Sequence, residues 1–207
     1  MEVMRLYAAM SRAAYTASTN PDLAQEEVDE YADNYHIVPH LSSATELVIH
    51  NPVAKEVVLA FRGTAELGDL KSDLRIAVGH HRIRGFAEDA SMVRTVQRLF
   101  PNYALVLTGH SLGGQRALSL GRRLPDAEVH AFNPGAGMFD PVAGVANLVS
   151  SLQSEATIYS TVLDPLSLAS LVGVEQKVYV RPTLSDPHSV DNFLVTYEAT
   201  PIVHDEL

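Results

Sequence analysis

Residues Leu105 to Gly114 read Leu-Val-Leu-Thr-Gly-His-Ser-Leu-Gly-Gly, an apolar run that passes through Gly-x-Ser-x-Gly into helix-forming residues. A strand that turns this sharply into a helix throws the central serine outward, so Ser111 becomes a nucleophile with an exposed Oγ. Gly109 and Gly113 relieve the crowding that Cβ atoms would create in such a turn. The first amides of the following helix face the same spot, which makes the Leu112 N–H a donor for a developing oxyanion. Upstream, the run Val57 to Phe61 ends in Arg62-Gly63-Thr64, where Thr64 offers an amide and a hydroxyl as a second donor. Taken alone, that segment also reads as a plain turn closed by Gly63.

Three segments in this order, Phe61-Arg62-Gly63-Thr64, Arg84-Gly85-Phe86 and Thr108-Gly109-His110-Ser111-Leu112-Gly113-Gly114, resemble the class 3 (fungal-type) lipases from about residue 45 to 197. The resemblance implies an α/β-hydrolase fold and hydrolysis of carboxylic esters, with acylglycerols as substrates; phospholipase A1 and short-chain esterase activities occur in the same family. It implies a lid helix at 65–74, where Leu67, Leu70 and Leu74 recur at i, i+3 and i+7 between Glu66, Asp69, Lys71 and Asp73. Such an apolar face suits transient contact with a lipid interface, and equally suits permanent packing on the core. The Trp that the family usually carries near Leu70 is missing, and 75–84 is shorter than in its secreted members. His110, before the serine, reads as structural support.

The serine needs a base, and the hydrolase order of serine, acid, histidine leaves His130, His188 and His204. His130 falls inside a strand-like run, and His204 lies in a chain end prone to fraying. His188 sits between the run Lys177 to Val180 and the apolar stretch Val190 to Tyr197, at a loop position suited to a base. For the acid, Asp164 follows the run Ile158 to Leu163 and precedes Pro165, with Asp140 and Asp191 as competitors. Asp-Pro-Leu at 164–166 and Pro-His-Ser at 187–189 also resemble the family's acid and histidine segments. The expected triad is Ser111, Asp164 and His188.

The elements that must hold these residues alternate. Two helices are expected before residue 40, one over about 3–17 and one from Asn20-Pro21-Asp22 to about Tyr31. A hairpin follows, Glu46 to His50 and Val57 to Phe61 about a turn at Asn51-Pro52. Short apolar runs at 103–107, 128–132, 158–163 and 177–180 have the character of strands buried on both faces of a mainly parallel sheet, with helices over 85–100 and 111–124 between them. The class is α/β, in one domain over 1–207, with no internal repeat and no long linker.

Composition removes other functions. In 207 residues, 15 Lys and Arg stand against 25 Asp and Glu, for a formal charge of −10, which opposes binding to nucleic acid. The longest apolar runs fall far short of the roughly 20 residues of a membrane helix. There is no cysteine, so a thiolate nucleophile and a Cys-based metal site are excluded. His80 and His81 are adjacent and lack a metal-ligand spacing, so no metal is expected. No Gly-x-Gly-x-x-Gly or Gly-x₄-Gly-Lys motif implies a cofactor. The acidic, interrupted N-terminus is unlike a secretory signal and favours the cytoplasm, whereas His204-Asp205-Glu206-Leu207 matches an endoplasmic-reticulum retention address. A catalytically idle, lipase-like binding protein is the rival to an enzyme.

Overall fold

The computed structural model describes residues 2–63, 85–134, 156–162, 164 and 176–195. Near-continuous burial runs through β2 (Glu46–Asn51), β3 (Glu56–Phe61), β4 (Ala104–His110) and β5 (Glu128–Phe132), as it must in strands covered on both faces. With β1 (His36–Ile37), β6 (Ala156–Thr161) and β7 (Gln176–Val180) they form a seven-stranded sheet whose spatial order is the chain order. The first three strands pair antiparallel, and β3 to β7 run parallel. The expected hairpin is present: Asn51 Oδ1 accepts the amides of Val53 and Ala54 at 3.0 and 2.9 Å, and Lys55 takes a φ of 53° to close the turn. β1 was not expected; two residues are too few to show a period.

Parallel neighbours need long crossovers, which place helices on the sheet. α3 (Gly85–Leu99) joins β3 to β4, and α4 (Leu112–Gly121) joins β4 to β5. Both lie on one face, where Val93, Val96, Ala117 and Leu120 pack against Val57, Leu59, Phe61, Leu107 and Val129. Because side chains alternate along a strand, Val58, Ala60, Val106 and Phe132 point the other way. There α1 (Glu2–Thr16) covers them with Met10 and Ala13, and α2 (Pro21–Asp29) packs on α1, adding Ala24 and Val28 to the same core. Asn20 caps α2 by accepting the Leu23 amide at 3.1 Å, and Pro21 opens its first turn. Among the described residues no helix is long and apolar enough to cross a membrane.

Candidate active site

β4 ends at His110 and α4 begins at Leu112, so Ser111 alone makes the turn between them. It does so at φ 57° and ψ −125°, a conformation that non-glycine residues rarely adopt and that folds reserve for functional positions. The glycines are required by contact: a Cβ on Gly109 would lie 2.4 Å from the Gly113 carbonyl carbon, and one on Gly113 would lie 2.0 Å from Phe61 O. A serine at a helix N-cap ordinarily folds its Oγ back onto the helix amides. Ser111 makes no such bond, and its Oγ lies 3.0 Å from His188 Nε2.

His188 Nδ1 is in turn 3.0 Å from Asp164 Oδ2. All three residues are buried, Asp164 completely. An ionised carboxylate can only accept, so Nδ1 carries the imidazole proton and Nε2 presents its lone pair to the Ser111 hydroxyl. The three groups come from the carboxyl ends of parallel strands, which is where ligands meet open α/β sheets. Ser111 follows β4, Asp164 follows β6, and His188 lies on the segment after β7, just before a 3-10 turn at Val190–Phe193. Asp186 Oδ1 accepts the His188 N–H at 2.9 Å.

His110 lies against this line without joining it. Its Nε2 is 2.6 Å from the main-chain oxygen of His188, which can only accept, so Nε2 bears the proton. Its Nδ1, 3.1 Å from the Tyr15 hydroxyl, must therefore accept from that phenol. Burial, with repulsion from His188, pushes the His110 pKa down to about 3, so the ring is neutral. Both ring nitrogens are engaged, one with the main chain of His188 and one with the Tyr15 hydroxyl. Burial drives Tyr15 up to about 12, and it stays a neutral donor whose hydroxyl also meets the Gly63 backbone. The N-terminal helices precede the motif-bearing region in sequence, yet through Tyr15 α1 reaches the serine's immediate neighbour.

The end of β3 is held from the other face. Arg116 Nη1 donates to Thr45 O and Arg62 O at 3.1 and 3.3 Å, and its Nε donates to Asp89 Oδ2 at 3.0 Å. Glu46 is a second carboxylate partner, and the guanidinium stacks 4.8 Å from the Phe61 ring centre. Burial opposes the charge on Arg116, but the two carboxylates outweigh it and raise its pKa.

The remaining candidates fall elsewhere. His130 stacks on Tyr7 at 4.2 Å within β5 and pairs with Glu128 at 2.7 Å. Asp191 pairs with Arg12 at 3.6 Å. Leu112 is buried at the first position of α4, where helix amides lack intrahelical acceptors. Thr64, the segment 65–74, His80, His81, Arg84, Asp140 and His204 to Leu207 lie outside the described residues. Among the described residues, no group of three His, Asp or Glu is placed to hold a metal.

Ser111, His188 and Asp164, aligned and buried, are the machinery of a serine hydrolase. The Lip2 lipase of Yarrowia lipolytica superposes with a TM-score of 0.61 over 92% of this chain and 81% of its own, at 17% identity. The fold is that of the fungal lipases. A lipase from Rhizopus microsporus var. chinensis shares it with a TM-score of 0.60 at 14% identity, over 90% of this chain and 75% of the lipase. So does a triacylglycerol lipase whose catalytic centre is described as a serine-protease triad, with a TM-score of 0.59 at 15% identity, over 86% of this chain and 79% of that one. No protein-family model and no curated protein matches the sequence, so the likeness to the lipase fold is one of structure.

Proposed function

We propose that this chain hydrolyses carboxylic esters through an acyl-enzyme and that its substrates are acylglycerols. The observation that carries the reading is the Ser111 Oγ set 3.0 Å from His188 Nε2 while Asp164 fixes Nδ1 on the far side of the ring. Ser111 Oγ attacks the ester carbonyl carbon as its proton passes to His188 Nε2, and the carbonyl oxygen becomes an oxyanion. The amides of Thr64 and Leu112 take that oxyanion in this reading. The tetrahedral species collapses with transfer of the His188 proton to the departing alcohol, leaving an acyl-serine. Water, deprotonated by His188, then attacks the acyl group, and the proton returns to Ser111 as the free acid leaves. Asp164 stays ionised throughout and stabilises the imidazolium.

The acylglycerol assignment draws on the lipase fold and on the leucine spacing at 67, 70 and 74, which suits a lid facing lipid. Hydrolysis of p-nitrophenyl esters from C2 to C16, together with a triacylglycerol emulsion and a phospholipid dispersion, tests it. The expected result is a preference that rises with acyl length and a rate that jumps above the substrate's solubility limit. A maximum at C2 to C4 with no jump would replace the acylglycerol by a small soluble ester. Faster release of fatty acid from the phospholipid would replace it by a phospholipase A1 substrate.

A further inference from the structure

The segment that carries the base, 181–189, belongs to no strand or helix, so its main-chain carbonyls must find partners outside a ladder. The carbonyls of Pro187 and His188 are both met by one side chain, that of Asn133, whose Nδ2 donates to each at 3.1 Å. At its other end, Asn133 Oδ1 accepts the Thr161 N–H at 2.9 Å. That bond fixes which way the amide faces, because a backbone N–H only donates and a carbonyl only accepts. Asn133 also donates its own N–H to Tyr159 O at 2.8 Å.

The site is built for this residue. Asn133 is fully buried and stands just past β5 at a φ of 39°, in the left-handed region that asparagine tolerates better than most residues. Thr161 ends β6, and its carbonyl accepts the amide of Asp164 at 3.2 Å. One carboxamide therefore grips the strand end that leads to the acid and the two peptide carbonyls that bracket the Cα of the base. The His188 carbonyl takes its second hydrogen bond from His110, the residue before the nucleophile.

We propose that Asn133 is a positioning residue for the reaction: by holding the main chain at Pro187 and His188 to the end of β6, it sets the imidazole on its line between Asp164 and Ser111. It touches no reacting atom and acts through His188. The proposal rests on the serine-hydrolase reading. Two substitutions isolate the role. Asn133→Gly removes the carboxamide and keeps the left-handed backbone. Asn133→Asp keeps the shape and the φ, but its ionised carboxylate faces two carbonyl oxygens with nothing to donate; once protonated, it regains one O–H donor.

The test titrates active Ser111 with a fluorophosphonate in wild type and both variants, then measures kcat and KM for p-nitrophenyl butyrate per titrated site from pH 6 to 9. Misplacing a catalytic group by about 1 Å costs about 10²-fold, so both variants should lose about that much in kcat with little change in KM. The deficit of Asn133→Asp should shrink as pH falls and its carboxyl takes a proton, while that of Asn133→Gly stays the same at every pH. The low-field proton resonance of the His188 to Asp164 hydrogen bond should move or vanish in the glycine variant. A purely structural role predicts fewer titratable sites, unchanged kcat per site and an unmoved resonance, and that result overturns the proposal. If the aspartate variant fails to fold, the glycine variant decides. A wild type that neither reacts with the fluorophosphonate nor cleaves the ester defeats the hydrolase reading, and the proton resonance then decides on Asn133 by itself.

Discussion

Helix α1 lays Tyr7, Ser11 and Tyr15 along one stripe at i, i+4 and i+8, and the two tyrosines end on two different buried histidines. Tyr15 donates to His110 beside the nucleophile. Tyr7 stacks on His130, and its hydroxyl bonds Glu56 Oε1 at 3.2 Å, an oxygen that Tyr35 also reaches at 2.8 Å. Between them Ser11 and Thr108 share a buried hydroxyl contact at 2.9 Å. The residue types at the two ends are nearly the same: tyrosine, histidine and carboxylate. Glu56 and Glu128 open β3 and β5, at the strands' amino ends, whereas Ser111, Asp164 and His188 follow carboxyl ends. At the amino end His130 spends its nitrogens on the Tyr159 hydroxyl and Glu128. At the carboxyl end His110 spends one on the main chain of His188 and leaves that ring to the serine and the acid. Buried polar chemistry becomes catalytic where the strand ends, a helix N-terminus and the loops converge.

The strongest attempt to break this contrast replaces the acid at one end and the histidine at the other. Asp164→Asn should lower kcat about 10⁴-fold, the size expected when an amide stabilises the wrong imidazole tautomer in a buried triad. His130→Gln should leave kcat per folded molecule unchanged. Steady-state kinetics on a short p-nitrophenyl ester reads both, and a comparable loss in the two variants would erase the distinction between the ends.

On the opposite face of the sheet, Arg116 offers a buried charge whose effect belongs to stability. Arg116→Ala takes a buried cation away from Asp89 and Glu46 and should cost roughly 3–5 kcal/mol in urea unfolding. A loss within about 1 kcal/mol, the usual limit for an exposed pair, would mean that the ion pairs are solvated.

A smaller effect separates the two histidines. The His110 pKa is about 3 in the folded protein against about 6.5 in an unfolded chain, so the unfolded state binds more protons between those values. The stability it contributes is complete above about pH 6.5 and is lost as pH falls through that window. Burial also lowers His130, but Glu128 opposes the shift. The urea midpoint should therefore fall less between pH 7 and 4.5 in His110→Gln than in wild type, and His130→Gln should flatten it less. Equal slopes in all three proteins would contradict a neutral, buried His110.

Local pattern carried much of this architecture. Runs such as Val57 to Phe61 announce strands by composition, and Gly-His-Ser-Leu-Gly announces its turn because sterics restrict that turn to few residues. His188 and Asp164 were reachable because chain order and strand ends limited the choice. Tyr15 and Asn133 were not. Each is an isolated polar residue whose farthest partner lies 95 positions away for Tyr15 and 55 for Asn133, and nothing in its own neighbourhood distinguishes it from a surface residue. Their roles follow from α1 crossing β4 and from the register that brings the end of β6 beside the end of β5, both of which are properties of the assembled sheet.

Everything at the carboxyl end of the sheet turns on Ser111 being a nucleophile activated by His188. Treating the protein with a fluorophosphonate and mapping the adduct by peptide mass spectrometry tests it most directly. One covalent adduct is expected, on Ser111, absent from Ser111→Ala and formed far more slowly in His188→Ala. No adduct on folded wild-type protein, or labelling of equal rate without His188, would contradict it.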